Sequence, residues 1–225
     1  MASPFVLLWT TGSEEVDSAI ALKFSPQYPI ALIHNSQQGT KQTCKVIKEA
    51  GGDVSLFDMD LTKTEDLKKT VQNVVAKFGK KCAAAIYPVT NSPAVPFLKQ
   101  TPAELRSATV LPISNAYAFA QQTVPLLLSN VGSSDFPSTL IFVGPSGNSS
   151  FDEINDNALV ALSRSLGREF GKKCLHVANV KFRKGHESSS ISKAKKKPSN
   201  ASSISETIWH LYTQPLNCFS NEFTI

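Results

Sequence analysis

The 225-residue chain lacks any apolar run near the roughly 20 residues that span a bilayer. Its first residues also lack the basic stretch and cleavage site of a secretory leader, so a soluble, cytoplasmic protein is expected. Its cysteines, Cys44, Cys82, Cys174 and Cys218, stand far apart, with no Cys-x-x-Cys and no Cys/His cluster. That spacing suggests neither a zinc site nor a disulfide framework, and reduced, buried thiols are the expectation. No two of its 11 glycines make a Gly-x-Gly pair, the device that lets a turn bring bare backbone N–H groups onto a pyrophosphate. Strong charge is absent too. The net +5 rests largely on residues 181–184 and 193–197, a local basic surface on an otherwise ordinary composition.

What the chain does have is alternation. Apolar β-type runs at Phe5–Trp9, Ile30–Ile33, Val54–Phe57, Ala83–Tyr87, Thr139–Val143, His176–Val180 and Phe219–Thr224 are separated by helical patterns. Thr62 and Glu65 form a capping box ahead of Leu67, Val71, Val74, Val75 and Phe78, spaced i, i+4, i+7, i+8, i+11. Thr101, Pro102 and Glu104 make a second start, with proline at the first helical position. Ser203 and Glu206 repeat the box before Ile208, Leu211 and Tyr212, and Gly51 ends a helix near Lys41–Ala50. Strands this apolar, alternating with helices, imply one α/β domain over residues 1–225. It is expected to be a three-layer, doubly wound, Rossmann-like parallel sheet of about seven strands with helices on both faces.

In such a sheet the ligand crevice lies beyond the carboxyl ends of the strands. The first unit, "FVLLWTTGSEEVDSAIALKFS" at 5–25, is a strand, a turn and a helix, yet its turn offers Thr11, Gly12, Ser13, Glu14, Glu15 and Asp17. Side chains there obstruct a close backbone approach, and carboxylates occupy a helix N-terminus whose dipole favours anions. A surface turn with a carboxylate capping the helix is the simpler reading.

Three runs, "AIALKFS" (19–25), "ALVALSRSLGREFG" (158–171) and "SETIWHLYTQP" (205–215), taken in this order, resemble the short-chain dehydrogenase/reductase (SDR) family across nearly the whole chain. The second run looks like the helix that, in the family, follows the catalytic tyrosine and lysine and packs in a dimerising four-helix bundle. The family's working residues, carried across one by one, meet other residue types. Its first turn reads Thr-Gly-x-x-x-Gly-x-Gly; the threonine falls on Thr10 and the glycines on Thr11, Glu15 and Asp17. Its Asn-Asn-Ala-Gly falls on Tyr87, Pro88, Val89 and Thr90, and its helix asparagine falls near Pro112. The catalytic serine falls on Pro145 or, with a one-residue shift, Ser146, and the Tyr-x-x-x-Lys pair falls on Asp152 and Asp156. No shifted register restores that pair, since Tyr28, Tyr87, Tyr117 and Tyr212 are followed four residues later by Leu32, Asn91, Gln121 and Leu216. In the family the tyrosine supplies the proton that moves with the hydride, and the lysine lowers its pKa and holds the nicotinamide ribose. An ionised aspartate only accepts, and a second one at i+4 repels it.

The resemblance therefore implies a degenerate cofactor site at Thr10, Thr11, Glu15, Asp17, Asp60 and Thr90. Asp60 matches a family aspartate near the adenine, although a turn role serves it equally. His34 and Asn35 end the second strand, where family members choose between cofactors, and commit to neither. No catalytic residue, cofactor or metal is expected; NADP or NAD would be the cofactor if the site worked, with Ser146 and Tyr87 as substitute catalytic groups. His176 and His210 read as core or groove histidines. Residues 183–202, "RKGHESSSISKAKKKPSNAS", replace the family's substrate loop with a mobile, Ser/Lys-rich segment. It interleaves no aromatics with its lysines, so a solvated loop is expected in preference to a nucleic-acid or acidic-partner site. The leading expectation is a binding or scaffold subunit without catalysis, a homodimer or a heterodimer with a homologue, bound to no membrane. The alternative is an active NAD(P)H-dependent oxidoreductase using non-standard residues.

Overall fold

A computed structural model describes residues 3–10, 13–34, 37–60, 64–89, 95–146, 149–183, 200–216 and 218–224. Side chains lose water on both sides of the sheet, which is why its strands read as unbroken apolar runs. The strands are β1 (Phe5–Trp9), β2 (Ile30–His34), β3 (Val54–Asp58), β4 (Cys82–Pro88), β5 (Ser138–Ser146), β6 (Leu175–Arg183) and β7 (Glu222–Thr224). They form one sheet in the order β3-β2-β1-β4-β5-β6-β7, and every pairing is parallel. Parallel neighbours require crossovers, supplied by α1 (Glu14–Phe24), α2 (Gln37–Glu49), α3 (Thr64–Phe78), α4 (Pro102–Leu105), α5 (Leu111–Leu128), α6 (Ser150–Phe170) and α7 (Asn200–Tyr212). Among the described residues no helix is long and apolar enough to cross a membrane.

Successive strand side chains point to opposite faces, so each strand feeds two cores. On one face Phe5, Leu7, Trp9, Tyr87 and Phe142 meet Leu67, Val71, Val74 and Phe78 of α3, Phe119 and Leu127 of α5, and Leu159 of α6. On the other, Val6, Leu8, Ile30, Leu32 and Ile141 meet Ile20 and Phe24 of α1, Ile47 of α2, and Ile204, Ile208, Leu211 and Tyr212 of α7. The capping box predicted at Thr101 is formed in full. Gly51 follows α2 at φ 82°, a left-handed position that glycine occupies without strain. The first and last helices are joined by Lys23–Glu206 at 2.5 Å and by the Tyr212 hydroxyl, which donates to the Tyr28 hydroxyl at 2.6 Å.

Several expectations need correction. α7 begins at Asn200, so Ser203 is not a cap: it lies inside the helix, where its carbonyl accepts from the Thr207 hydroxyl. The last strand is shorter than Phe219–Thr224, because Phe219 and Ser220 contact His176 before strand pairing starts. Cys44 and Cys82 are buried, but Cys174 is half-buried and Cys218 exposed, all with free thiols. His210 is exposed on α7. Arg183 closes β6 and residues 200–202 belong to α7, so of the loop placed at 183–202 only residues 184–199 lie outside the described residues, as does Thr62 of the first capping box.

The strand order reverses between β1 and β4, and the crevice of a doubly wound sheet opens at that point. There the chain leaving β4 presses onto β5: the Val89 N–H donates to the Val143 carbonyl at 2.6 Å. A Cβ built on Gly144 would stand 2.8 Å from the Val89 Cβ, which makes glycine a steric requirement here. We expect Gly144→Ala to destabilise the fold by about 1–3 kcal/mol, the range for an overpacked core. In urea denaturation the Gly144→Ala, Val89→Gly double variant should lose less than the sum of the two single losses. Strict additivity would refute the contact.

Candidate functional site at the carboxyl edge of the sheet

The Thr10 N–H donates to the Ile33 carbonyl at 2.9 Å, extending the β1–β2 ladder by one residue. Thr11 and Gly12 lie outside the described residues. α1 then starts at Glu14 with Ser13 as its extended N-cap, and its first turn carries Glu14, Glu15 and Asp17. Glu14 and Glu15 face solvent, whereas Asp17 is 4% exposed. Of the two carboxylates at family glycine positions, Asp17 is thus the one turned inward, at the helix end whose dipole favours a negative charge.

At the neighbouring strand ends, the buried His34 places Nε2 3.2 Å from Asp58 Oδ1, and its carbonyl accepts from the Met59 N–H at 2.9 Å. The end of β2 is thereby tied to the end of β3. Asp60 follows, half-buried; Asn35 and Thr90 lie outside the described residues.

Tyr87, a candidate substitute group, is a core residue. Its ring meets Trp9 edge-on at 5.1 Å and packs on Phe119 at 5.4 Å. Its hydroxyl donates to the Pro112 carbonyl at 3.2 Å, and burial pushes its pKa far above the usual tyrosine range. Ser146, the other candidate, closes β5 opposite Arg183, and its side chain lies outside the described part.

Pro112, near which the resemblance sets the family's helix asparagine, has no N–H, and the local chain responds to that. A π-helical turn, Arg106–Val110, precedes α5. In an α-helix the N–H of residue 112 would serve the Ala108 carbonyl. Proline supplies none, and Asn155 Nδ2 of α6 donates to that carbonyl at 2.9 Å instead. Asn155 is 1% exposed, and its Oδ1 has no hydrogen-bond partner among the described residues.

Asp152 and Asp156, which the sequence resemblance sets against the family's tyrosine and lysine, are each 6% exposed on the same side of α6. The Asp152 N–H bonds to Ser149 Oγ, the helix cap, at 3.1 Å. Asp156 Oδ2 lies 3.7 Å from Lys181 Nζ on β6. Burial raises the Asp156 pKa; Lys181 opposes that rise, while Glu153 and Asp152 add to it. Lys181 is therefore no part of a free basic surface: its ammonium reaches Asp156 of α6 from β6. Among the described residues no group of three or more His, Cys, Asp and Glu could hold a metal ion.

Sequence reasoning missed Asn155 and Lys181. Both left a signal. A proline inside a helix leaves a carbonyl four residues back in need of a donor, and strand alternation puts Lys181 on the face of Val177, toward α6. We expect Asn155→Ala to cost about 0.5–1.5 kcal/mol, the net worth of a hydrogen bond. In a Pro112→Ala background, where residue 112 regains an N–H, the cost should shrink. Equal costs in both backgrounds by thermal denaturation would remove the assigned role.

Neither a family model nor a curated protein matches the sequence. Solved structures do match its fold. A short-chain dehydrogenase from Rhodopseudomonas palustris aligns with a TM-score of 0.75 at 17% identity, covering 98% of this chain and 97% of its own. Acetoin dehydrogenase from Enterobacter cloacae aligns with a TM-score of 0.81 at 13% identity, covering 99% and 94%. A metagenomic short-chain oxidoreductase in complex with NADP aligns with a TM-score of 0.74 at 16% identity, covering 100% and 97%. From its first strand to its last, the chain has the fold of the short-chain dehydrogenases.

Proposed function

We propose that this protein keeps the short-chain dehydrogenase fold as a binding or scaffold subunit and does not carry out hydride transfer. The carrying observation is that buried polar groups around the carboxyl edge of the sheet serve the protein's own bonds. Tyr87 holds the Pro112 carbonyl, Asn155 holds Ala108, and Asp156 is paired with Lys181. No tyrosine or other weak acid with a lowered pKa stands on α6 at the tyrosine position, where Asp152 is found.

The residues of the first turn do not suit a dinucleotide. Asp17, buried in the first turn of α1, occupies the helix end that would receive a pyrophosphate. A carboxylate about 4 Å from a phosphate charge costs roughly 4 kcal/mol at an effective dielectric near 20, enough to weaken a micromolar site to about a millimolar. The NADP of the metagenomic oxidoreductase is a property of that protein, and we carry it to this chain only as the alternative. One observation favours that alternative, an active reductase: Lys181 supplies a cation near the lysine position. Calorimetric titration with NADPH and NADH should give dissociation constants no tighter than about a millimolar, and a panel of carbonyls and alcohols should show no turnover. Micromolar binding with turnover that disappears in Lys181→Met would establish the reductase instead.

We propose further that the protein pairs with itself or with a homologue through α5 and α6. Val110, Leu111 and Tyr117 on the first helix and its lead-in turn, and Ile154 on the second, are large apolar residues left exposed. Exposed apolar side chains on both helices support such pairing. Sedimentation at micromolar concentration should show a dimer that Tyr117→Lys with Ile154→Asp converts to monomer. A wild-type monomer that recovers no homologue on pull-down would end this proposal. The free thiols suit a reducing compartment such as the cytoplasm.

A further inference from the structure

Strands β4, β5 and β6 share a row in which Ala84 pairs with Thr139 and Thr139 with His176. Three residues before that row stand Lys81 on one side and Lys173 on the other, two strand spacings or about 10 Å apart. Lys80 and Lys172 precede them, so each side carries two adjacent lysines. The covering helices α3 and α6 run back from the carboxyl edge and end beside the same lysines, adding Lys77 and Arg168 in their last turns. Lys81 is half-buried and the other five are exposed. None of these cations takes part in an ion pair among the described residues. The amino edge of the sheet, opposite the crevice, thus holds two groups of unpaired positive charge.

A helix C-terminus favours positive charge only within its last turn. That accounts for Lys77 and Arg168, but α3 ends at Phe78 and α6 at Phe170, and the four lysines lie beyond them. Two ammonium groups are held at the rim by rings: Lys77 Nζ lies 5.6 Å from the Phe78 centroid, and Lys173 Nζ lies 5.5 Å from that of Phe170. Such a contact leaves the other side of the cation open to an anion.

The residues around the two groups select the partner. Asp135, before β5, and Glu169, near the end of α6, are exposed. Val131, 38% exposed in the turn before β5, and the half-buried Phe170 supply apolar surface. A nucleic-acid backbone is charged at every phosphate and would meet the two carboxylates as it crossed. Among the described residues no exposed aromatic ring stands at this edge for a base to stack on. A peptide, in contrast, can leave its middle uncharged. Extended backbone advances about 3.4 Å per residue, so acidic residues three positions apart reach both lysine groups and set an apolar residue between them.

We propose that this amino edge is a docking surface for an extended acidic segment of a partner protein, with its carboxylates on Lys80 and Lys81 at one end and on Lys172 and Lys173 at the other. The surface lies at the far edge from the crevice, so it goes beyond the scaffold reading and does not depend on whether the crevice takes a cofactor. Exposed charges are screened by salt, and the affinity falls as salt rises.

The probe is a fluorescein-labelled synthetic peptide, Ser-Leu-Glu-Glu-Leu-Glu-Glu-Leu-Ser, read by fluorescence anisotropy on the full chain at low salt. It should bind, and its counterpart with glutamine for every glutamate should not. Lys80→Ser with Lys172→Ser should weaken binding by about two- to thirtyfold, the worth of two exposed ion pairs, and Lys81→Glu with Lys173→Glu by more. Serine at Lys193, Lys195, Lys196 and Lys197 should leave the affinity unchanged. Overturning results are no binding of the peptide up to about a millimolar, a loss that follows the lysines of 193–197 instead, or an oligonucleotide of equal charge that binds more tightly than the peptide.

Discussion

A polar atom sealed from water must find its partner inside the protein, because leaving it unmet costs about as much as a hydrogen bond is worth. That constraint organises the carboxyl edge of this sheet. Pro112 removes a donor from the helix lining the crevice, and α6 answers with Asn155. The carbonyl of Pro112 points at β4, and Tyr87 answers with its hydroxyl. Asp156 is drawn out of water on one side of α6, and Lys181 answers from β6. Each answer links two elements that the sheet alone would not join, so these three contacts hold the walls of the crevice together.

The fold was legible because its causes are local and repeated. Buried parallel strands have no wet face, so "FVLLW", "IALI" and "CAAAIY" announce themselves, and all seven were found. What failed were the ends. Ser203 and Glu206 have the spacing of a capping box, but that pattern gives the same signal inside a helix that starts earlier, as α7 does at Asn200. Phe219 looks like a strand residue because it is apolar, yet its ring is taken up by His176 before the ladder starts. Tertiary contacts decided both cases.

The candidate site was legible in its residues and illegible in its pairings. The sequence resemblance singled out Asp17, Asp152, Asp156 and the neighbourhood of Pro112, and the three aspartates are buried. Exposure separates Glu15 from Asp17, a distinction the linear sequence does not carry. The partners came from distant segments: Lys181 follows Asp156 by a crossover and a strand, and Asn155 follows Ala108 by an entire helix and strand. Tyr87 looked reactive because a tyrosine beside a strand end looks accessible; the rings of Trp9 and Phe119 closed over it.

The hydroxyl contact between Tyr28 and Tyr212 spans 184 positions of sequence, and Lys23–Glu206 spans 183. α1 therefore lies against a helix made more than 180 residues after it. On the ribosome, the first strand–helix unit emerges long before its covering surface exists, and Phe24 waits exposed until Trp209 and Tyr212 arrive to cover it. Contacts this distant in sequence slow folding, since a long loop must close before they repay its entropy. The nascent chain thus carries an uncovered apolar helix until α7 is made, the condition in which chaperone capture competes with folding.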